Sequence, residues 1–598
     1  MQFAFALVFT VIIYHTLYVT LQNNYELTII KGVFSMAQRS SQRNQEDHPQ
    51  LHSNANDNTS LEPAQCPRCE TSNNKKRRIK CSICSSKWHL TCVRLKRVQA
   101  DALGTWWCPN CTNHASSQCN TKQQDPSHTP SDTSLKNEND TDLADHLANL
   151  KQTRQVVQRI PRGTRIAAAD ALTMLIDTAV EERTKEAMTK LFQFPRIALA
   201  VPDKDVKENH SLTSKIKRQI AMYMESLAPV DNSVSDVHQD KRRVRPRARS
   251  DIDYIRRTVP LKLADGDVRG AIRLLASNDQ IAEHSHEVVE GLKLKHPPAP
   301  SDLKLPPAPA ENHQPYMATE HDVTSAVASF DTGSSAGLDG LRPAHLKDLT
   351  SKSAGEAGPR LIKALTSLVN LALRGEIPPS ARTTFYGASL TALRKKDGGI
   401  RPIAVGSTYR RLATKVGLKP LSAQLGQELR PVQLGYGTPG GCEAAVHATR
   451  HFAAHLKEDS VAVKLDMRNA FNTVRRDHFL RVAREFAAPL YPLLWQAYSQ
   501  PTPLYYGTTQ IISATGVQQG DPCGPAVFSL AIQPVTKAAS CDFNCWYLDD
   551  GTLGGEATSV CENLRRLLPA MADIGLEINS RKCEIILPEN VTEGPREV

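Results

Sequence analysis

Two apolar stretches in the second half of the chain run directly into aspartates, and this feature constrains the fold most. Residues 461–465 (VAVKL) alternate as a β-strand does, and Asp466 follows at once. Residues 545–548 (CWYL) predict a second strand, and residues 549–551 (DDG) predict a hairpin turn 83 positions (466 to 549) further along. Because an acid at the end of a strand is well placed to bind a metal ion, both strand ends are candidate metal sites.

Further segments with conspicuous Gly and Pro residues surround these strands. Residues 516–525 (GVQQGDPCGP) form a loop that can bring backbone close to a ligand, and an apolar, helix-like run follows. Residues 336–341 (AGLDGL) and 393–403 (LRKKDGGIRPI) lie upstream, and residues 575–579 (GLEIN) lie downstream. Helix and strand signals alternate from about residue 318 onward, which predicts an α+β domain there.

In order and spacing, these segments resemble the palm of reverse transcriptases, and the match is close to that of non-LTR retrotransposon polymerases. Residues 393–403 resemble the fingers hairpin, residues 336–341 the segment before it, and residues 575–579 with Lys582 the fourth palm motif. The resemblance runs from about residue 318 to 586 and implies the fingers and palm of a right-hand polymerase. Because only 14 residues follow Glu584, we expect the thumb to be missing.

The resemblance implies an RNA-directed DNA polymerase, in which the 3′ hydroxyl of a DNA primer attacks the α-phosphate of a deoxynucleoside triphosphate. Two Mg²⁺ ions would activate the attacking oxygen and stabilise the leaving one. Asp466 and Asp549 are the expected bridging ligands, and Asp550 is expected to support them. The expected nucleotide-binding residues are Lys395, Lys396, Arg401, Phe471, Gln519, Gly520 and Lys582.

Two of these residues have a simpler interpretation beside the one that the family implies. Phe471 would stack under the sugar and exclude a 2′ hydroxyl, whereas its alternative is a core phenylalanine beneath the strand. Lys582 would protonate the leaving pyrophosphate, whereas a lysine in a polar turn is usually only solvated.

Eight Cys and His residues in four close pairs dominate residues 66–111. Two-residue gaps bring sulfurs to the spacing of a zinc tetrahedron, so eight ligands predict two structural Zn²⁺ ions. A disulfide knot is the alternative. The ligands are Cys66, Cys69, Cys81, Cys84, His89, Cys92, Cys108 and Cys111.

The ligand order resembles that of a PHD-type finger, with Trp88 just before the histidine and Trp106 two positions before the seventh ligand. That resemblance implies an interleaved cross-brace and a chromatin ligand. Lys87 stands where readers of methyl-lysine commonly have Trp, and residues 75–80 (KKRRIK) are strongly basic. Nucleic acid is therefore a second predicted ligand, and a solvated charge run is the alternative.

The length of 598 residues predicts a multidomain chain, and the two resemblances imply that it contains a small cross-brace zinc finger and α+β fingers and palm, with an α-helical extension between them. The predicted segments are an apolar leader with a disordered polar tail (1–62), the zinc finger (63–114), a disordered linker (115–159), a basic helical extension (160–295), a Pro-rich linker (296–317) and the fingers and palm (318–598). Apolar faces predict helices through residues 172–180 and 268–275. The net charge of +11 favours an anionic partner such as nucleic acid.

Residues 1–25 carry no Lys, Arg, Asp or Glu and have about the length of a membrane span. They lack the basic start of a secretory signal, and export would place the zinc candidate in an oxidising compartment. The nucleus or the cytoplasm is therefore the expected location, and membrane anchoring by this stretch is the alternative. A further interpretation is that Met36 is the working start.

Together these features predict a retrotransposable-element protein that copies RNA into DNA and uses its zinc finger for targeting chromatin or nucleic acid. Its partners would be an RNA template, a DNA primer and deoxynucleoside triphosphates. The alternative is an inactive relic that only binds nucleic acid or chromatin. The three acids, Arg401 and Phe471 favour the enzyme, whereas the expected lack of a thumb favours the relic.

Overall fold

A computed structural model describes residues 78–81, 87–90, 93, 143–202, 211–226, 251–264, 266–276, 280–395 and 398–588. The chain divides into two compact units, residues 1–133 and 134–598. In the first unit, β1 (Arg78–Lys80) and β2 (Lys87–His89) form an antiparallel pair. Of the eight predicted zinc ligands, Cys81 and His89 belong to this described part, and the other six lie outside it.

The second unit begins with helices. They are α1 (Leu143–Thr153), α2 (Arg165–Glu182), α3 (Lys185–Ala198), α4 (Leu212–Glu225), α5 (Asp251–Ala264) and α6 (Val268–Ala276). The first predicted apolar face is confirmed in α2, where Leu172, Leu175 and Ile176 are buried. Asp267 caps α6 as expected, since its carboxylate accepts from the Gly270 N–H at 2.9 Å.

The second predicted apolar face is only partly buried. Ala271 of α6 is buried, but Val268, Ile272 and Leu275 are exposed. The 3.6-residue period therefore located the helix correctly but not its packing, because a period specifies which side chains share a face and not what covers that face.

The remaining elements, from residue 280 onward, include the segment in which the sequence predicts fingers and palm, and the two sheets described below are named after those predicted parts. The helices are α7 (His286–Lys295), α8 (Glu320–Ala328), α9 (Pro343–Leu349), α10 (Ala357–Leu373), α11 (Pro379–Tyr386), α12 (Thr408–Leu418), α13 (Ser422–Leu429), α14 (Gly441–Ala454), α15 (Ala470–Thr473), α16 (Arg476–Phe486), α17 (Tyr491–Tyr498), α18 (Gly524–Lys537) and α19 (Ala557–Asp573). The strands are β3 (Gln280–Ile281), β4 (Ala388–Arg394), β5 (Ile400–Gly406), β6 (Ser460–Leu465), β7 (Thr502–Tyr506), β8 (Thr509–Ser513), β9 (Phe543–Tyr547), β10 (Asp550–Glu556) and β11 (Glu584–Ile586).

The fingers sheet is built around β4. This strand pairs antiparallel with β5 along its whole length, parallel with β7 at its start, and antiparallel with β3 at its end. A small apolar cluster lies on the sheet and includes Val288 and Leu292 of α7 together with Leu390 and Leu504. Helix α7 therefore packs on the fingers sheet, although it precedes the Pro-rich segment in the chain.

The palm sheet has the order β11-β6-β10-β9, and all its pairings are antiparallel. Strand β6 is an inner strand, and its Leu465 lies opposite Gly551 of β10. This register places Asp466, just after β6, at the same end of the sheet as Asp550 at the start of β10.

One large hydrophobic core extends from α1 to the palm. Its members include Leu172 and Leu175 of α2, Leu361 and Leu365 of α10, and Leu553 of β10. In α10 the buried leucines recur at helical spacing, and α2 packs against this face. The helical extension and the palm thus share one core.

The Pro-rich segment, residues 297–317, lies against the palm helices. The hydroxyl of Tyr491 donates to the Pro307 carbonyl at 2.6 Å, and the Tyr316 N–H donates to the Pro489 carbonyl at 3.0 Å. The sequence predicted an extended spacer here. Proline lacks an N–H but keeps its carbonyl, so an extended Pro-rich chain can still accept hydrogen bonds from a neighbouring surface.

Among the described helices, none combines the length and the apolar character that crossing a membrane requires. The apolar residues 1–25 lie outside the described ranges.

Candidate active site

Asp466 is held in place by the segment that was predicted to be the fourth palm motif. The Asn579 side-chain amide donates to Asp466 Oδ1 at 2.8 Å, and the Asn579 N–H donates to the Asp466 carbonyl at 2.8 Å. The Arg468 N–H donates to the Glu577 carbonyl at 2.8 Å. Residues 577–579 therefore run alongside the end of β6 and orient one oxygen of its acid.

The hairpin that carries the other two acids turns earlier than the sequence predicted. Tyr547 lies opposite Asp550, so the two turn residues are Leu548 and Asp549, and Leu548 has φ = 57°. Gly551 lies within β10, where a Cβ would come within 2.5 Å of the Trp546 ring. The prediction of a turn at residues 549–551 was wrong, because the glycine is required by packing against tryptophan and not by the turn.

A left-handed conformation is unfavourable for leucine by about 1–3 kcal/mol, and such residues persist only where the surroundings hold them. Gln433 does so here. Its amide oxygen accepts from the Leu548 N–H at 2.8 Å, and its amide nitrogen donates to the Leu548 carbonyl at 3.1 Å. No periodicity or motif in the sequence marked Gln433, which lies in an irregular segment between Pro431 and Gly435.

Two of the three acids have a raised proton affinity. Burial, together with the charges of Asp550 and Asp466, raises the pKa of Asp549 to about 6, against the opposing charge of Lys395. Burial and the Asp466 charge raise the pKa of Asp550, against the effect of Lys464. Lys395 of the fingers hairpin is thus near enough to influence a palm acid.

These carboxylates fit a divalent cation by donor chemistry and by charge. Oxygen donors suit Mg²⁺, and a bound cation would offset both the burial and the neighbouring negative charges that raise the pKa of Asp549. In the parts of the chain that the structure describes, no three His, Cys, Asp or Glu side chains are placed to hold a metal ion together. The fit therefore concerns chemistry and charge and does not extend to a coordination geometry.

The predicted Gln519 and Gly520 lie against the fingers hairpin. The Ala404 N–H of β5 donates to the Gln519 carbonyl at 3.1 Å. Gly520 has φ = 118°, and a Cβ at this position would lie 2.3 Å from the Ala404 carbonyl oxygen. The loop therefore needs glycine here to approach β5.

A buried cation that sequence analysis missed holds this loop. Arg410 forms an ion pair with Asp521, with Nε and Oδ2 2.5 Å apart, and both side chains are buried. Its guanidinium also donates to the Tyr386 carbonyl and to the Gln518 side chain. The mixed apolar and basic sequence of α12 gave no sign that Arg410 would be internal.

Phe471 stacks on Phe528 of α18 with ring centroids 4.4 Å apart and planes 14° apart. Phe471 is half-buried, whereas Phe528 is fully buried. One face of the Phe471 ring thus packs in the core, and the rest of the ring is accessible. A role as a core residue and a role beneath the sugar are therefore both compatible with this position.

The predicted basic residues lie on two elements. Lys395 and Arg401 belong to the hairpin of β4 and β5, and Arg401 is exposed opposite Leu393. Lys582 is exposed in the turn before β11, where its N–H donates to the Asn579 carbonyl at 2.8 Å. Lys396 lies outside the described ranges.

A cavity of about 890 Å³ opens between the fingers hairpin, helix α7 and the segment that follows Asp466, and none of the three acids lines it. Gly399 and Ile400 line it from the hairpin, Glu290 from α7, and Arg468 and Glu577 from the palm. Since Arg468 lies two positions after Asp466, the cavity adjoins the end of the palm sheet where the acids lie.

Residues 393–595 match the family described as reverse transcriptase (RNA-dependent DNA polymerase). This segment contains the three acids and all the predicted nucleotide-binding residues.

Curated proteins of retrotransposable elements are similar to the chain. It is 26% identical over 271 residues to the retrotransposable element SLACS 132 kDa protein of Trypanosoma brucei gambiense, which covers 42% of this chain and 22% of that protein. It is 26% identical over 294 residues to the Pol polyprotein of the type-2 element R2DM of Drosophila melanogaster, covering 44% and 26%. The Pol polyprotein of the type-1 element R2 of Popillia japonica is 27% identical over 204 residues, covering 31% and 27%.

The chain therefore spans only about a quarter of the length of these relatives. The predicted resemblance to non-LTR reverse transcriptases is confirmed for the polymerase segment, while these matches do not bear on the PHD-type finger. Residues 393–595 carry the sequence of a reverse transcriptase domain similar to those of non-LTR retrotransposable elements.

Proposed function

We propose that the chain acts as an RNA-directed DNA polymerase of a retrotransposable element. The observation that carries the proposal is the arrangement of Asp466, Asp549 and Asp550 at one end of the palm sheet, within the segment that matches the reverse transcriptase family. The proposed substrates are an RNA template, a DNA primer and deoxynucleoside triphosphates.

The acids would hold two Mg²⁺ ions, which supply activation of the primer 3′ hydroxyl and charge neutralisation on the leaving pyrophosphate. Asp466 and Asp549 would be the main ligands of both ions, and Asp550 would support them. The hydrogen bond from Asn579 holds the Asp466 carboxylate in one orientation. The partial burial of Asp549 limits its contact with water, which strengthens its interaction with a cation.

The remaining residues would bind the nucleotide. Lys395, Lys396 and Arg401 of the fingers hairpin neutralise the triphosphate. Phe471, fixed by its stacking on Phe528, faces the sugar and excludes a 2′ hydroxyl. Gln519 and Gly520, held against β5, contact the nucleotide or the template base. Lys582 Nζ donates a proton to the leaving pyrophosphate oxygen.

The proposal includes a targeting role for the first unit in the nucleus or cytoplasm. The ligand spacing of residues 66–111 supports a PHD-type finger with two Zn²⁺ ions, and residues 75–80 supply positive charge for nucleic acid. Chromatin is the second proposed ligand of this finger.

Primer extension on an RNA template with Mg²⁺ tests the polymerase proposal. We expect the wild-type chain to extend the primer, and we expect Asp466→Asn and Asp549→Asn to lose nearly all activity, because each removes a charged ligand beside a polyanion. Asp542→Asn is the matched control, since it changes an exposed aspartate just before β9, at the opposite end of the same hairpin.

Equal extension by the wild type and Asp549→Asn would overturn the assignment of the acids. Tight template binding without extension by the wild type would instead support the alternative of an inactive nucleic-acid-binding relic.

A further inference from the structure

Gln433 is fully buried and contacts the acid-bearing turn, although none of the roles described above uses it as a ligand. We propose that Gln433 is a positioning residue that holds Asp549 in its working geometry. This inference rests on the proposed polymerase function, because it assigns a role within the same site.

The turn does not hold itself. The ladder between β9 and β10 reaches only to the pair of Tyr547 and Asp550, which leaves Leu548 and Asp549 outside it. Leu548 lies in the left-handed region at φ = 57°, where Gly or Asn is usual. Its apolar side chain cannot bond the backbone as Asn or Asp can. A hydrogen-bonding group from outside the hairpin that bonds Leu548 would therefore stabilise the turn.

Gln433 supplies that group through a single planar amide. Its oxygen accepts from the Leu548 N–H and from the Gly435 N–H, both at 2.8 Å, and its nitrogen donates to the Leu548 carbonyl at 3.1 Å. A carboxamide offers an acceptor oxygen and a donor nitrogen in one plane, which is the combination that the N–H and the carbonyl of Leu548 require. Both backbone groups of the strained residue are thus satisfied by one side chain.

The segment around Gln433 is itself anchored to the palm. The Trp546 N–H donates to the Val432 carbonyl and the Leu434 N–H donates to the Trp546 carbonyl, each at 2.8 Å. The segment around Gln433 therefore pairs alongside β9 through one parallel bridge. A Cβ at position 435 would lie 2.5 Å from the Leu548 nitrogen. Gly435 is therefore required for this close approach.

Loss of the Gln433 amide should release the turn without removing a metal ligand. The expected signature is weaker metal binding and a lower kcat, with little change in template–primer affinity. A merely structural glutamine would lower thermal stability and leave the metal titration unchanged.

The experiment compares Gln433→Met with Gln496→Met in the full chain. Gln496 is also buried, but its amide donates to the Ile377 carbonyl at 3.0 Å and accepts from the Tyr386 hydroxyl at 2.7 Å, and it bonds no residue of the acid-bearing turn or of the segment around Gln433. For each protein we would measure the melting temperature, Mn²⁺ binding by electron paramagnetic resonance, and kcat and KM for primer extension. Gly435→Ala, which crowds the turn from outside, is a second perturbation of the same contact.

We expect both glutamine variants to lose thermal stability, but only Gln433→Met and Gly435→Ala to weaken Mn²⁺ binding by about tenfold and to lower kcat by roughly 10- to 100-fold. Wild-type Mn²⁺ affinity in folded Gln433→Met and Gly435→Ala, or an equal metal defect in Gln496→Met, would overturn the inference. So would a wild-type chain that binds no Mn²⁺. A wild type that binds Mn²⁺ but extends no primer would overturn the polymerase proposal alone, because the Mn²⁺ comparison still decides the role of Gln433.

Discussion

Asp339, in the segment before the fingers hairpin, is an acid that the core encloses completely. Burial raises its pKa to about 6, and the charges of Arg196 and Arg411 oppose that rise. The folded protein therefore binds the proton of Asp339 more tightly than the unfolded chain, whose value is near 3.8. The stabilising contribution of this proton is fully present below about pH 4 and is lost as the pH rises through 6.

We predict that the urea midpoint of the wild type rises, relative to that of Asp339→Asn, when the pH is lowered from 7 to 5, because the variant lacks this proton. Chemical denaturation at several pH values measures the difference, and Asp170→Asn, on exposed helix surface, is the control. Parallel pH curves for the wild type and Asp339→Asn would contradict the prediction.

Phe471 allows a second prediction at this scale. Phe471→Val should keep most deoxynucleotide use and admit ribonucleotides, because it removes a steric wall but no ligand. Phe479→Leu, which changes a buried phenylalanine that packs on Tyr498, should lower stability without changing sugar selection. The measurement is the ratio of kcat/KM for the two sugars, and we expect it to fall by roughly tenfold or more in Phe471→Val only.

At the level of elements, helix α7 allows a buried leucine to be compared with an exposed leucine of the same ten-residue helix. Leu292 faces the fingers sheet and is 0% exposed, whereas Leu294 is 82% exposed. Leu292→Ala should lower the free energy of unfolding by about 2–5 kcal/mol, because it leaves a cavity under the sheet. Leu294→Ala should change it by less than about 0.5 kcal/mol. Urea denaturation of both variants measures this, and similar losses would argue against the packing of α7 described here.

The elements also show how far sequence analysis reaches. The strand before Asp466 and the helix through Leu172 were predictable because apolar period and burial agree there. The acid turn was predicted one position too late, because Asp-Asp-Gly is a common turn sequence. Its contact with Gln433, 115 positions earlier in the chain, leaves no local sign in the sequence. The ion pair of Arg410 and Asp521 could not be predicted, since neither residue carries a local sign that it will meet an opposite charge in the core.

At the scale of the whole molecule, we expect the two units to be stabilised by different interactions. The second unit has its own large hydrophobic core, whereas the zinc candidate in the first unit has fewer than about fifty residues, which is too few for a core without metal.

We predict that the full chain contains two Zn²⁺ ions and that chelation unfolds the first unit while the melting transition of the second unit stays unchanged. Elemental analysis and calorimetry before and after chelation measure this. The chain with Cys66→Ser and Cys69→Ser should hold about one zinc ion fewer. A metal-free wild-type chain, or a chelator that melts both units together, would contradict the prediction.

The order of strands in the palm sheet also has a consequence for biosynthesis. Strand β6 is made first but lies inside the sheet, and its partner β10 begins 85 positions (465 to 550) later. Gln433 likewise can form its hydrogen bonds only after Leu548 has been synthesised, 115 positions further on. A chain that emerges from the ribosome must therefore keep an apolar strand unpaired until late in translation, and we expect it to depend on chaperones during that interval. The acids can meet only when nearly the whole palm has been synthesised.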